Sequence, residues 1–149
     1  MVIKVELEGR DFLQVECEGE NLQTPGRVLK VDMKGCTEFM EMMQKMKRHF
    51  GADLSKWPLP ESNDHSSMLL REMILKLRGE WKFPYEEAEV CHCRTVATHT
   101  VDQAVIAGAH TPEVVTRQTS ASTACGTCRP EVQKIIDYRL GKTPGKVSA

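Results

Sequence analysis

The sequence predicts an α+β protein: a small N-terminal antiparallel sheet with helices, followed by a second part that is helical. Three observations predict it. Apolar residues from Ile3 to Met33 recur with a period of two, and from Thr37 the period becomes that of a helix. Four of the six cysteines then stand as two tight pairs, Cys91-His92-Cys93 and Cys125-Gly126-Thr127-Cys128, separated by a long stretch of helical pattern.

Three runs read as strands. Ile3, Val5 and Leu7 alternate with charged residues, as do Leu13, Val15 and Cys17, and then Leu29, Val31 and Met33. Gly9-Arg10-Asp11 and the stretch 19–26, with Asn21 and Pro25, read as the turns between them. A three-stranded antiparallel sheet with one wet face follows. Phe39, Met42, Met43, Met46 and Phe50 then mark a helix from Thr37 to Phe50, with Gly51 at its end. The methionines between Met40 and Met46 read as core filling rather than as soft metal ligands. Trp57-Pro58-Leu59-Pro60 breaks the helix pattern. A second helix starts near Asn63 or Asp64, either a good N-cap, carries Leu69, Leu70, Met73, Ile74 and Leu77 inward, and ends at Gly79.

The stretch from Gly79 to Glu87 mixes Trp81, Phe83 and Tyr85 with charge and breaks the helical period. It divides the chain into domains at 1–80 and 86–142. In the second, Thr100 to Gln103 fits a capping box ahead of Val101, Val105, Ile106 and Ala109. Thr111-Pro112 opens another helix. Arg129-Pro130 starts a third, with Val132, Ile135, Ile136 and Leu140 as its stripe. Residues 142–149 read as a frayed tail.

Composition bounds the function. With 20 basic and 21 acidic residues, nothing points to nucleic acid or to anionic lipid. The apolar runs are too short for a membrane span. Met1 to Glu6 alternates apolar and charged residues, unlike a signal peptide, so a cytoplasmic location is expected. There, clustered cysteines are metal ligands or redox groups rather than structural disulfides. Two thiolate pairs suit a [2Fe-2S] cluster, whose irons each take two protein sulfurs, and they also suit tetrahedral zinc. A dithiol at Cys125 and Cys128 is a third reading, which wants a βαβ setting that the helical pattern does not provide. Gly126 lets backbone approach the site, and small neighbours (Ser122, Thr123, Ala124, Thr127) leave N–H groups for cluster sulfurs. A helix starting after Cys128 would turn its positive end toward an anionic cluster. His92 reads as a surface residue beside the site.

Two resemblances add to this reading. The first half resembles the N-terminal scaffold domain of NifU-type iron–sulfur assembly proteins, through Lys34-Gly35-Cys36 before one helix, Leu59-Pro60, and Asp64-His65-Ser66 before the next. Cys36 and His65 match family ligand positions, and Asp11 corresponds to a family aspartate. Ser66 replaces a family cysteine, another is missing near Arg10, and Cys17 matches nothing. Cys36 is therefore expected to be a small buried side chain and His65 a capping residue. This half would serve as a docking or dimerisation surface. Residues 88–141 resemble the bacterioferritin-associated ferredoxin-like [2Fe-2S] domain, through Val90 to Val96, Ile106 to Gly108, Thr111-Pro112-Glu113, Thr119 and Cys125 to Cys128. The resemblance implies an all-helical domain with Cys91, Cys93, Cys125 and Cys128 as the [2Fe-2S] ligands. The expected function is one-electron transfer in iron or iron–sulfur metabolism, without substrate chemistry of its own, to a redox or iron–sulfur assembly partner. A cluster-assembly role and a zinc module are the alternatives, and homodimer formation is left open.

Overall fold

The computed structural model describes residues 1–21, 24–83, 89–91, 96–119 and 129–140, with the backbone alone at 89–91, 96 and 129–131. The chain forms two compact units, Met1–Lys82 and Phe83–Ala149, and is α+β overall. No helix among the described residues is long and apolar enough to cross a membrane.

In the first unit β1 (Val2–Leu7), β2 (Asp11–Cys17) and β3 (Val28–Lys34) form an antiparallel sheet in that order. The period of two is realised: Ile3, Val5 and Leu7 lie on one face with Leu13, Val15 and Cys17, all buried. Cys17 is sealed there, and burial pushes its thiol pKa up, the nearby N-terminal ammonium opposing the shift. Met33 and Val31 lie opposite Leu13 and Val15, but a bulge at Glu16/Cys17 leaves Leu29 without a partner in β2. Leu29 is therefore 52% exposed instead of continuing the inward alternation.

The helix α1 spans Thr37–Phe50, as its spacing predicts, and Gly51 closes it with φ 87°. A short 3₁₀ turn, Leu54–Lys56, leads to Trp57, whose ring is buried and whose Nε1 donates to Gly51 O at 2.9 Å. The helix α2, His65–Leu77, packs on β1 and β2 and is buried from Ser66 to Ile74 around its whole circumference. It ends in a Schellman motif: the Gly79 N–H bonds Lys76 O and the Glu80 N–H bonds Leu75 O, with Gly79 at φ 71°. Its N-cap, Asp64, is extended but makes no side-chain capping bond. Buried Arg71 organises the entry instead, donating to Pro60 O and Ser62 O at 2.8 and 2.9 Å.

The second unit opens with a two-stranded antiparallel pair, β4 (Glu89–Cys91) and β5 (Val96–Ala97), so it is not purely helical as the resemblance implies. Helices α3 (Thr98–Ala107), α4 (Pro112–Thr119) and α5 (Arg129–Arg139) follow. Because β5 runs straight into α3, the helix begins at Thr98 with Ala97 as N-cap, and the expected capping box at Thr100 does not form. The expected cap of α4 does form, with the Val114 N–H donating to Thr111 Oγ1 at 3.3 Å. Val101, Val105, Ala109, Val115, Val132, Ile135 and Ile136 make one core from all three helices. Phe83 packs against that core and meets Tyr138 edge-on, while Trp81 lies under the Lys76 ammonium in the first unit. Tyr85, the stretch 120–124 and the tail 142–149 lie outside the described residues.

One polar clip crosses this core. Arg139 Nε and Nη2 each donate to the Asp102 carboxylate at 2.6 Å, joining the end of α5 to α3. Both side chains are largely shielded from water. Truncating one partner strands a buried charge, so Asp102→Ala should destabilise the second unit by about 3 kcal/mol. Urea unfolding followed by helical circular dichroism measures this; a loss under 1 kcal/mol would mean that Arg139 finds other partners.

Candidate metal centre

Three side chains from three elements meet in the first unit. Asp11 is the first residue of β2, Cys36 immediately precedes α1, and His65 is the first residue of α2. Asp11 Oδ2 lies 2.6 Å from His65 Nε2, and Cys36 Sγ lies 3.3 Å from the same nitrogen. Sγ is 4.0 Å from Asp11 Oδ2, so all three ligand atoms lie within 4.8 Å of one another. The Asp11 side chain has no exposure and that of His65 has 13%. The hydroxyl of Ser66 stands 3.4 Å from the same Nε2.

Local backbone geometry makes this meeting possible. The second carboxylate oxygen of Asp11, Oδ1, accepts the Cys36 N–H at 2.6 Å, which fixes the approach to α1. Gly35 is obligatory there, since a Cβ would run into the Asp11 carboxylate and come within 2.8 Å of the Phe39 ring. On the other side, the Arg71 bonds to the loop carbonyls hold the segment that delivers His65. Two helix N-termini thus present their positive ends to a site with two acidic donors.

The arrangement rules out one chemistry and fits another. A nucleophile relay needs the thiol on one ring nitrogen and the carboxylate on the other. Here both approach Nε2. Three unlike donors converging on one point are what a metal ion requires, and oxygen, nitrogen and sulfur from Asp, His and Cys are all zinc or iron(II) ligands. Three protein ligands would leave a fourth position open. The sequence expectation for Cys36 and His65 is therefore corrected: Cys36 is half-buried beside a histidine, and His65 caps nothing. The burial of Asp11 has no signal in a strand-start aspartate, which reads as a turn residue; only the alignment of Asp, Gly-Cys and His motifs points to it. Met43 is buried and the neighbouring methionines are half-buried, as core filling requires.

The expected cysteine ligands belong to the second unit. Cys91 ends β4, opposite Val96 of β5, and Cys128 immediately precedes α5. Cys93, Cys125 and Cys128 lie outside the described residues, as does His92. In sequence, residues 120–128 connect α4 to α5, and both helices contribute to the one core.

Residues 89–138 match the family described as BFD-like [2Fe-2S] binding domain, a range that encloses Cys91, Cys93, Cys125 and Cys128. The chain therefore carries a [2Fe-2S]-binding domain, and four thiol side chains are the donor set such a cluster takes. It is also similar to the nitrite reductase [NAD(P)H] large subunit of Klebsiella oxytoca, 33% identical over 55 residues. That similarity covers 37% of this chain and spans only 6% of the relative's length. No solved structure matches the chain.

Gly35→Ala tests the tight junction at Asp11. Overpacking at a well-packed point should cost the first unit about 2 kcal/mol, read as a lowered thermal midpoint. An unchanged midpoint would mean that the Cys36 backbone can retreat from Asp11.

Proposed function

We propose that the protein is a one-electron carrier in iron or iron–sulfur metabolism, holding a [2Fe-2S] cluster on Cys91, Cys93, Cys125 and Cys128. The observation that carries the reading is the family match over 89–138, which brackets both cysteine pairs. The similarity to a stretch of an NAD(P)H-dependent reductase supports a place on an electron path. When bound, the cluster supplies reversible one-electron chemistry. The chain's own part would be to hold the ligands: β4 carries Cys91, and α5, starting directly after Cys128 in sequence, would offer the positive end of its dipole to an anionic cluster. The three-helix core and the Asp102–Arg139 clip keep α5 in place. The partner is a redox, iron-storage or iron–sulfur assembly protein, and the chain has no substrate reaction of its own.

Anaerobically purified protein is expected to be red-brown, with two irons and two sulfides in the second unit and a paramagnetic signal appearing on one-electron reduction. Cys125→Ala should bleach it and reduce helical content, because ligation and folding are coupled in so small a unit. Full cluster retention in that variant would remove Cys125 from the ligand set. Rapid, complete cluster transfer to an apo-ferredoxin, with loss on reduction, would replace the carrier reading by an assembly role.

The convergence of Asp11, Cys36 and His65 favours a second reading, in which the first unit handles a divalent metal during cluster assembly. Iron or zinc in excess of the cluster should then co-purify at one ion per chain. Cys36→Ser should lose that ion while leaving the visible spectrum of the cluster intact. Metal content equal in both proteins would exclude the site.

A further inference from the structure

The sheet of the first unit ends in a strand that is built to meet itself. Its order is β1-β2-β3, so among the described residues β3 pairs on one side only, with β2. The apolar face of β1 and β2 is covered by α2 and buried, whereas that of β3 is only partly covered: Val31 and Met33 are half-buried, and Leu29, turned out by the bulge, adds a 52% exposed apolar side chain to the same edge. Between β3 and the elements below it runs an open groove of about 310 Å³, with Val31, Met33, Met43, Leu54 and Trp57 in its wall. An open edge beside an uncovered apolar strip invites another strand.

The sequence of β3 specifies which strand. Val28-Leu29-Lys30-Val31-Asp32-Met33-Lys34 has its midpoint at Val31. Set two copies antiparallel with all seven residues overlapping, and Val31 faces Val31, Lys30 faces Asp32 and Leu29 faces Met33. The opposite-charge pair and the apolar pair are each generated twice by the two-fold axis, as an isologous interface requires. Lys30 and Asp32 already share a face, 3.7 Å apart within one chain, so four charges would alternate around the axis. Other registers are worse. A two-residue shift centres the pairing on Lys30 or on Asp32 and opposes like charges. A one-residue shift would set inward residues against outward ones. Lysines and bulges on an edge ordinarily discourage pairing. Here the lysine is matched by Asp32, so the charges choose one register instead of forbidding all.

We propose that β3 is a homodimer interface, two chains joining their sheets into six antiparallel strands about an axis at Val31. A second copy is the occupant because the charge pattern complements itself. The inference does not rest on the cluster or on the metal centre. The outer edge formed by β1 has a similar alternation, with Lys4 and Glu6 at 3.4 Å, but Ile3, Val5 and Leu7 are already buried, so pairing there would cover no further apolar surface.

Sedimentation equilibrium of the full chain tests this. A concentration-dependent dimer is expected. Lys30→Asp should weaken it about tenfold or more, because two like-charge pairs replace two opposite-charge pairs. Adding Asp32→Lys to that variant should restore it, and Lys4→Glu on the far edge should leave it unchanged. A chain that stays monomeric at all concentrations, a dimer indifferent to Lys30→Asp, a double variant that does not recover, or a dimer lost on Lys4→Glu instead, would each overturn the proposal.

Discussion

Asp11 carries a carboxylate into the interior of the first unit, and its bonds decide how that unit closes. Left alone, such a group would cost several kcal/mol to bury. It is matched on one oxygen by the Cys36 N–H and on the other by His65 Nε2. These bonds tie the start of β2 to the starts of α1 and α2, which are distant in sequence. Helix α2 could not lie buried around its circumference unless its entry were fixed, and the Asp11–His65 contact and the Arg71 bonds fix it from opposite sides. The same convergence that satisfies the carboxylate gathers an oxygen, a nitrogen and a sulfur in one place. Structural need and ligand geometry coincide in this unit.

The second unit solves a different problem. It has few apolar residues and draws them from three helices into one cluster. The Asp102–Arg139 pair adds registration that apolar contacts lack, since a bidentate fork tolerates little sliding. That clip lies at the C-terminal end of α5, whereas Cys128 precedes the helix in sequence.

Period and punctuation made most of the elements legible. The three strands, the bounds of α1 and the Thr111 cap of α4 follow from local patterns that packing leaves undisturbed. The misses have a common cause. Thr100 fits a capping box, yet the pairing of β5 with β4 starts α3 earlier. Leu29 keeps the alternation in sequence, yet a bulge turns it out. Asp64 takes the N-cap position, yet its side chain makes no capping bond. Each depends on a neighbour remote in the chain, which a window of residues does not contain. The [2Fe-2S]-binding domain was legible because the motifs that carry its resemblance, the two cysteine pairs among them, are local in sequence. The Asp11–Cys36–His65 meeting is the opposite case, spread over more than fifty positions, so that no local spacing shows it and only the resemblance of three separate motifs points to it.

The six cysteine sulfurs of the chain are not chemically equivalent. With the cluster in place in the proposed reading, four are bound to iron, and Cys17 is closed off inside the sheet. Cys36 remains, half-buried and beside an imidazole. A loaded protein would then present one thiol to alkylating or oxidising reagents, so its reactive sulfur count would serve as a gauge of cluster occupancy.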